Sequence, residues 1–172
     1  MRRIELASVA VALVLLAGCG GGVTGGGAGA AATAANRCGT DTEEPLDPGS
    51  VQHLLPGAPE PTYSSDPPTS GPHLAGGAPL GAQDHPVSRP AQVALLEKGG
   101  VMLQYRHLPA GDLRRLRSLA ERQVVVAPNP GLATAVVATA WRHRLTCGGA
   151  ASGAVQALAM FVDTYKGKGP EQ

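Results

Sequence analysis

Residues 101–128, VMLQYRHLPAGDLRRLRSLAERQVVVAP, decide the fold because they contain a strand pattern, a helix pattern and a second strand pattern in succession. Residues 100–105 alternate large apolar side chains with smaller or polar ones, which predicts a strand buried on one face. The apolar run 124–127 predicts a buried strand that Pro128 and Pro130 stop. We therefore expect a sheet with helices packed on it.

The segment between these strands predicts an amphipathic helix. Asp112 is a suitable N-cap, and the leucines at 113, 116 and 119 recur with Ala120 at helical spacing. The opposite face is basic, with Arg114, Arg115, Arg117 and Arg122. Such a face is typical of a solvated helix surface.

The flanking sequence adds three further elements. Residues 91–97 predict a short helix that ends at Gly99 and Gly100, and residues 135–142 predict a third strand. Ser152 caps a last predicted helix, which Gly167 stops. The fold class is therefore α+β, with a small sheet of about three to four strands whose one face is covered by helices.

An irregular segment precedes this regular part. Residues 38–90 are dense in proline, glycine and acidic side chains, and only residues 51–55 suggest a short strand or a turn of helix. Because proline restricts φ and lowers the entropy that ordering must overcome, we expect this segment to be ordered but irregular. The globular domain then spans residues 38–172.

The N-terminus predicts export and lipid anchoring. Arg2 and Arg3 precede an apolar run, residues 6–16, that is too short to cross a bilayer. The small residues before Cys19 resemble a bacterial lipobox, which implies a signal peptide of residues 1–18 and a lipid on the Cys19 sulfur. The protein is then held at the extracytoplasmic face of the cell membrane. An ordinary cleaved signal with an incidental cysteine is the alternative.

Residues 19–37 predict a flexible tether between the lipid and the domain. They consist mainly of glycine, alanine and threonine, which cannot bury enough surface to offset the entropy of ordering. The formal net charge of the whole chain is +1, and loss of the signal peptide leaves the remainder neutral. Neutrality argues against nucleic acid as a partner.

The charge is divided between the two halves of the domain. Acidic residues dominate residues 38–97 and basic residues dominate residues 98–172. Either the two halves pack against each other, or the basic half docks on anionic lipid headgroups.

Two cysteines remain once Cys19 is assigned to lipid. Cys38 and Cys147 form an even pair in an oxidising compartment, which predicts a disulfide. Two free buried thiols are the alternative.

The segment YSSDPPTSGPH, residues 63–73, is unusual because prolines bracket hydroxyl residues and a histidine ends the run. Together with other segments in the same order, it resembles the DUF3105 family of exported bacterial proteins, which has no assigned activity. The matching segments are 63–73, 96–101 (LEKGGV), 125–130 (VVAPNP), 138–141 (ATAW) and 165–171 (YKGKGPE). The third and fourth of these also suit plain core strands and a turn, with Trp141 as a large core aromatic.

The resemblance implies a possible metal site. Family members typically carry histidines at the positions of Ala94 and Lys98, which with His73 could ligate a metal ion. Here both positions lack histidine, and His73 with Glu97 cannot fill a tetrahedral site. We therefore expect no cofactor, with His73 as the surviving ligand if a metal binds.

The remaining histidines give weak signals. His143 and Cys147 are four residues apart and suggest a metal site, but the predicted disulfide uses the Cys147 thiol. The others, His53, His85 and His107, lie in contexts typical of surface histidines.

Catalytic motifs are incomplete. Ser64, Ser70, Asp66 and His73 suggest a triad, but the nucleophile elbow is absent and such residues beside prolines usually form local turns. No nucleotide-binding motif is present either.

These observations favour a noncatalytic, lipid-anchored binding module of the cell envelope. Its partner is an envelope protein or a small ligand. The expected binding residues are Tyr63, Thr69, Ser70, His73, Glu97 and Lys98. A metal-binding protein or metal-dependent enzyme with a degenerate histidine site is the alternative function.

Overall fold

A computed structural model of the chain describes residues 37–171. The strands are β1 (Thr42–Glu43), β2 (His53–Leu54), β3 (His73–Leu74), β4 (Val101–Tyr105), β5 (Val124–Pro128), β6 (Val136–Ala140) and β7 (His143–Cys147). The helices are α1 (Arg89–Glu97), α2 (Ala110–Arg117) and α3 (Ser152–Tyr165). The predicted signal peptide, Cys19 and residues 20–36 of the tether lie outside the described residues.

The strands form a mixed five-stranded sheet in the order β1-β7-β6-β4-β5. The two strands predicted from residues 100–105 and 124–127 pair in parallel, with Val101 opposite Val124, and α2 makes the crossover between them. All other pairs in this sheet are antiparallel. The α+β class is therefore confirmed.

The core lies on both faces of the sheet because successive strand residues point to opposite sides. Val101 and Leu103 belong to one buried cluster with Leu116 of α2 and Leu158 of α3. On the other face, Met102 and Val125 of the sheet pack with Leu95 and Leu96 of α1. Helices therefore pack against both faces, not against one as predicted.

The predicted number of strands was too low. Residues 135–142 were expected to form one strand, but the chain turns at Trp141 and Arg142 and returns as β7. Arg142, the second residue of this turn, has a φ of 62°, in the left-handed region that some tight turns use at that position. The two-residue strand β1 also adds to the edge of the sheet at β7.

Some predicted helix boundaries also differ. Helix α2 begins at Ala110, before Asp112, and ends at Arg117, so Leu119 and Ala120 lie beyond it. Asp112 instead forms an ion pair with Arg115, at 3.2 Å. Ala151 is the N-cap of α3, and Ser152 is the first helical residue. Gly167 has a φ of 78° just after α3 ends, as expected of a stop signal.

The irregular segment is attached to the sheet by covalent and backbone bonds. The predicted disulfide joins Cys38 to Cys147 in β7. Within the segment, β2 and β3 pair in parallel as a separate small sheet, with His53 opposite His73. The expected short strand at 51–55 is thus present as β2. Among residues 37–171, no helix is both long enough and apolar enough to cross a membrane.

Candidate functional site

Asp47 organises the loop of residues 63–73. Its carboxylate accepts hydrogen bonds from the Ser64 hydroxyl at 2.7 Å and from the backbone N–H groups of Gly49 and Ser64. Its own N–H donates to the Ser70 hydroxyl oxygen at 2.9 Å. Burial alone would raise the pKa of Asp47, but these hydrogen bonds outweigh burial and lower it. An ionised carboxylate therefore holds the loop in place.

The other hydroxyl groups of the loop are also bonded within the protein. Thr69, which is buried, donates to the Glu44 carboxylate at 2.8 Å, and the Tyr63 hydroxyl donates to the Pro72 carbonyl at 2.8 Å. Gly71 has a φ of 130°, and a Cβ there would lie 2.8 Å from the Tyr63 ring. The loop is therefore a built structural unit, and three predicted binding residues, Tyr63, Thr69 and Ser70, make internal bonds in it.

His73 is the buried end of this loop. Its side chain is almost completely buried, and its Nδ1 lies 2.9 Å from the Gly71 carbonyl oxygen. Its Nε2 lies 2.5 Å from Oε2 of Glu97, the last residue of α1. This distance is that of a short ion pair between the imidazole and the carboxylate. The predicted pair of His73 and Glu97 is thus brought together.

His53 is the member of the site that the sequence interpretation missed. Pairing of β2 with β3 sets its ring edge-on to the His73 ring, with 4.8 Å between the centroids. The ligand atoms of His53, His73 and Glu97 all lie within 4.8 Å of one another. His53 is exposed while the other two are buried, so the cluster reaches from the interior to the surface.

The electrostatic surroundings of Glu97 are mixed. Burial raises the pKa of Glu97, the charge of His73 lowers it, and the nearby Glu171 carboxylate raises it again. Lys98, a predicted binding residue, is exposed, and its positive charge lowers the pKa of Glu97 less than His73 and His53 do.

The C-terminal segment brings Glu171 to this site. The Glu171 N–H donates to the Glu97 carbonyl at 3.1 Å, and the Gly167 N–H donates to the Gly99 carbonyl at 2.8 Å. Between them, a Cβ at Gly169 would lie only 2.2 Å from the Glu97 carbonyl oxygen. Segments 96–101 and 165–171 therefore pack closely together beside the cluster.

A solvent-open cleft of about 360 Å³ lies over the cluster, and we call it the histidine cleft. Its lining includes Val51, His53, Glu97, Trp141, Pro170 and Glu171. Trp141 also packs against the core cluster of α1, so it serves the core as predicted and the cleft as well. A second groove of about 640 Å³ is lined mainly by apolar residues, among them Leu54, Leu55, Pro56, Leu74 and Pro90.

The other groups of residues noted in the sequence make contacts away from the histidine cleft. The hydroxyl groups of Ser64 and Ser70 bond to Asp47, not to His73. The ring of His143 stacks on Tyr165 with 4.2 Å between the centroids, and Cys147 is in the disulfide. His85 and His107 are exposed and lie outside the cluster.

Comparison with known proteins identifies a family. No curated protein and no solved structure matches the chain. The family model described as "Protein of unknown function (DUF3105)" matches residues 58–172, which include all five segments that carry the resemblance. The chain therefore belongs to the DUF3105 family.

Proposed function

We propose that this protein is a noncatalytic, lipid-anchored binding module of the cell envelope that takes its partner or ligand in the histidine cleft. The observation that carries the proposal is the buried ion pair of His73 with Glu97, whose side chain lines an open cleft. A concave pocket with a few convergent polar groups is the usual form of a binding site. The side chains of His53, Glu97 and Glu171 converge on this cleft.

This proposal assigns two roles to the residues expected to bind. Glu97 belongs to the binding surface together with His53, Trp141 and Glu171, and His73 supports it from below through its contact with Glu97. The loop hydroxyl groups support them, because the loop places the Gly71 carbonyl that orients the His73 ring. Lys98 adds a positive charge near the cleft.

The anchoring part of the proposal rests on the sequence before residue 20. A short apolar run before a cysteine, and a disulfide that suits an oxidising compartment, both support an extracytoplasmic position. We expect the full-length protein to fractionate with membranes and Cys19→Ala to appear in the soluble fraction, as measured by immunoblotting. Equal fractionation of the two proteins would refute the lipid anchor.

Site-directed photocrosslinking in cells that express the full chain tests the binding surface. A photoreactive phenylalanine at position 141 should form an adduct, because Trp141 lines the cleft and the replacement is also aromatic. The same residue at position 156, an exposed site on α3, should form none. Adduct formation at 141 should fall at least about tenfold in Glu171→Gln if that carboxylate contributes a charged contact of about 1.4 kcal/mol.

Asp163→Asn is the matched control, since it also removes one exposed carboxylate but lies on α3. It should leave the adduct at 141 unchanged. Equal adducts from positions 141 and 156, or an adduct at 141 that ignores Glu171→Gln, would contradict the proposal.

A further inference from the structure

We infer that His53, His73 and Glu97 hold a divalent transition-metal ion of the Zn²⁺ type at the base of the histidine cleft. The inference deepens the proposed function, because it names a ligand for the same cleft. It stands on three observations, which concern the orientation of the His73 ring, the short contact between His73 and Glu97, and the position of His53.

The hydrogen bond at Nδ1 leaves Nε2 as the ring nitrogen of His73 that can ligate an ion. The Gly71 carbonyl can only accept, so Nδ1 must be the donor, and Nε2 is the nitrogen that faces Glu97. A ring N–H donated to a backbone carbonyl is also the usual arrangement for a histidine that ligates a metal through its other nitrogen. His73 is therefore oriented as a ligand.

A proton or a metal ion must lie between His73 and Glu97, because Nε2 and Oε2 are too close for two bare lone pairs. The two atoms are 2.5 Å apart, and both side chains are buried. Two ligands of one ion point their lone pairs at the ion, not at each other. With bonds of about 2.1 Å in a tetrahedral arrangement, an ion between them would separate the two atoms to about 3.4 Å.

His53 supplies the third ligand from the solvent side. Its nearest ring nitrogen lies within 4.8 Å of the other two ligand atoms, and its exposed side chain can rotate toward them. Two imidazoles and one carboxylate form the donor set of a zinc site that leaves a fourth position open. That set suits Zn²⁺, Ni²⁺ or Cu²⁺ and is poor for Mg²⁺ and Ca²⁺, which take oxygen ligands.

The surroundings also favour a cation. Glu171 lines the same cleft and places a second carboxylate near Glu97. Lys98, at one of the two positions where family members typically carry histidine, is exposed. The expectation of no cofactor counted two ligands, His73 and Glu97, and the structure adds His53 as a third.

Zinc titration of the untagged full-length protein, purified in detergent and stripped of metal, tests the inference. We expect one Zn²⁺ per chain in competition with a chromogenic chelator, and a melting temperature that rises with Zn²⁺ but not with Mg²⁺. His53→Ala should weaken Zn²⁺ binding by about 100-fold or more, since even groups that only orient a ligand contribute 10–100-fold. Its exposed position keeps the fold intact, and circular dichroism checks this.

His85→Ala is the matched control, because it removes an exposed histidine outside the cluster and should leave the affinity unchanged. No Zn²⁺ binding by the wild type, or equal binding by wild type and His53→Ala, would overturn the metal site. If zinc fails to bind while the crosslink at position 141 still depends on Glu171, the metal inference fails and the proposed function stands. If zinc binds but no crosslink forms, the metal site stands and the proposed partner binding fails.

Discussion

The double variant Cys38→Ala/Cys147→Ala should lose about 5 kcal/mol of unfolding free energy, because the disulfide closes a long loop. The two cysteines are 109 residues apart, and the chain-entropy model gives about that stabilisation for a loop near this length. This is a large fraction of the stability of a small domain. We therefore expect loss of this bond to lower the free energy of unfolding more than a change to a surface side chain or to an edge strand would.

The structural reason is that the disulfide begins the attachment of the irregular segment. After Cys38, the chain adds β1 to β7 and then places Glu44 against Arg144, with Nε 2.6 Å from Oε1. Glu44 also receives the Thr69 hydroxyl, so the same segment supports the loop that ends at His73. Loss of the bond should therefore loosen the edge of the sheet and the support of the histidine cleft.

Urea denaturation of the full-length protein measures the effect by linear extrapolation. The wild type in reductant should fall to the stability of the double variant, and the double variant should not respond to reductant. A difference below about 1 kcal/mol between wild type and variant would show that the bond stabilises far less than typical disulfides do.

Gly169→Ala should destabilise the protein by about 1 to 3 kcal/mol, the usual cost of forcing an extra methyl group into a packed site. The new Cβ would lie 2.2 Å from the Glu97 carbonyl oxygen and 2.3 Å from the Gly99 nitrogen. Both are backbone atoms, so neither can rotate away. The C-terminal segment must move, and Glu171 moves with it.

Gly76→Ala is the matched control, since nothing lies within 4 Å of the added Cβ there. It should be neutral or slightly stabilising, because alanine has less entropy to lose on folding. Thermal denaturation gives the comparison, and hydrogen exchange at the Glu171 amide should speed up in Gly169→Ala alone. Equal melting temperatures for the two variants would mean that the segment is not packed against α1 as described.

The parts of the fold that the sequence predicts are those with strong local patterns. Residues 100–105 alternate and residues 124–127 are uniformly apolar, and both form strands of the sheet. The sequence of β7 does not show a clear apolar face. Only Leu145 and Cys147 are buried, and the neighbouring residues His143, Arg144 and Thr146 are polar. The pairing of β7 with β1 comes from residues more than ninety positions away, beyond any local signal.

The candidate site shows the same limit. His73 and Glu97 were predicted from an unusual loop and from family resemblance, and the structure brings them together. His53 was predicted as an ordinary surface histidine, because its position depends on the pairing of two strands of two residues each. The nearest signal was the suggestion of a short strand at 51–55. That suggestion could have predicted a strand beside the loop. It could not have predicted the register in which His53 lies opposite His73.

The loop residues illustrate a different ambiguity. Serine, threonine and tyrosine in a proline-rich loop are as suited to internal bonds as to a ligand. Sequence alone cannot distinguish the two uses. In the structure, the Ser70 hydroxyl oxygen accepts a hydrogen bond from the Asp47 N–H group, and the Thr69 hydroxyl group donates one to the Glu44 carboxylate. Because these hydroxyl groups are bonded within the protein, we propose the histidine cleft as the binding surface.

An anomalous diffraction experiment on crystals of the protein grown with Zn²⁺ is the most direct test of the metal site. We expect one strong zinc peak between His53, His73 and Glu97, with Nε2 of His73 and the Glu97 carboxylate both within bonding distance. The Gly71 carbonyl oxygen should still accept a hydrogen bond from the Nδ1–H group of His73. No peak at this position, with His73 Nε2 and Glu97 Oε2 joined by a direct, aligned hydrogen bond, would contradict it.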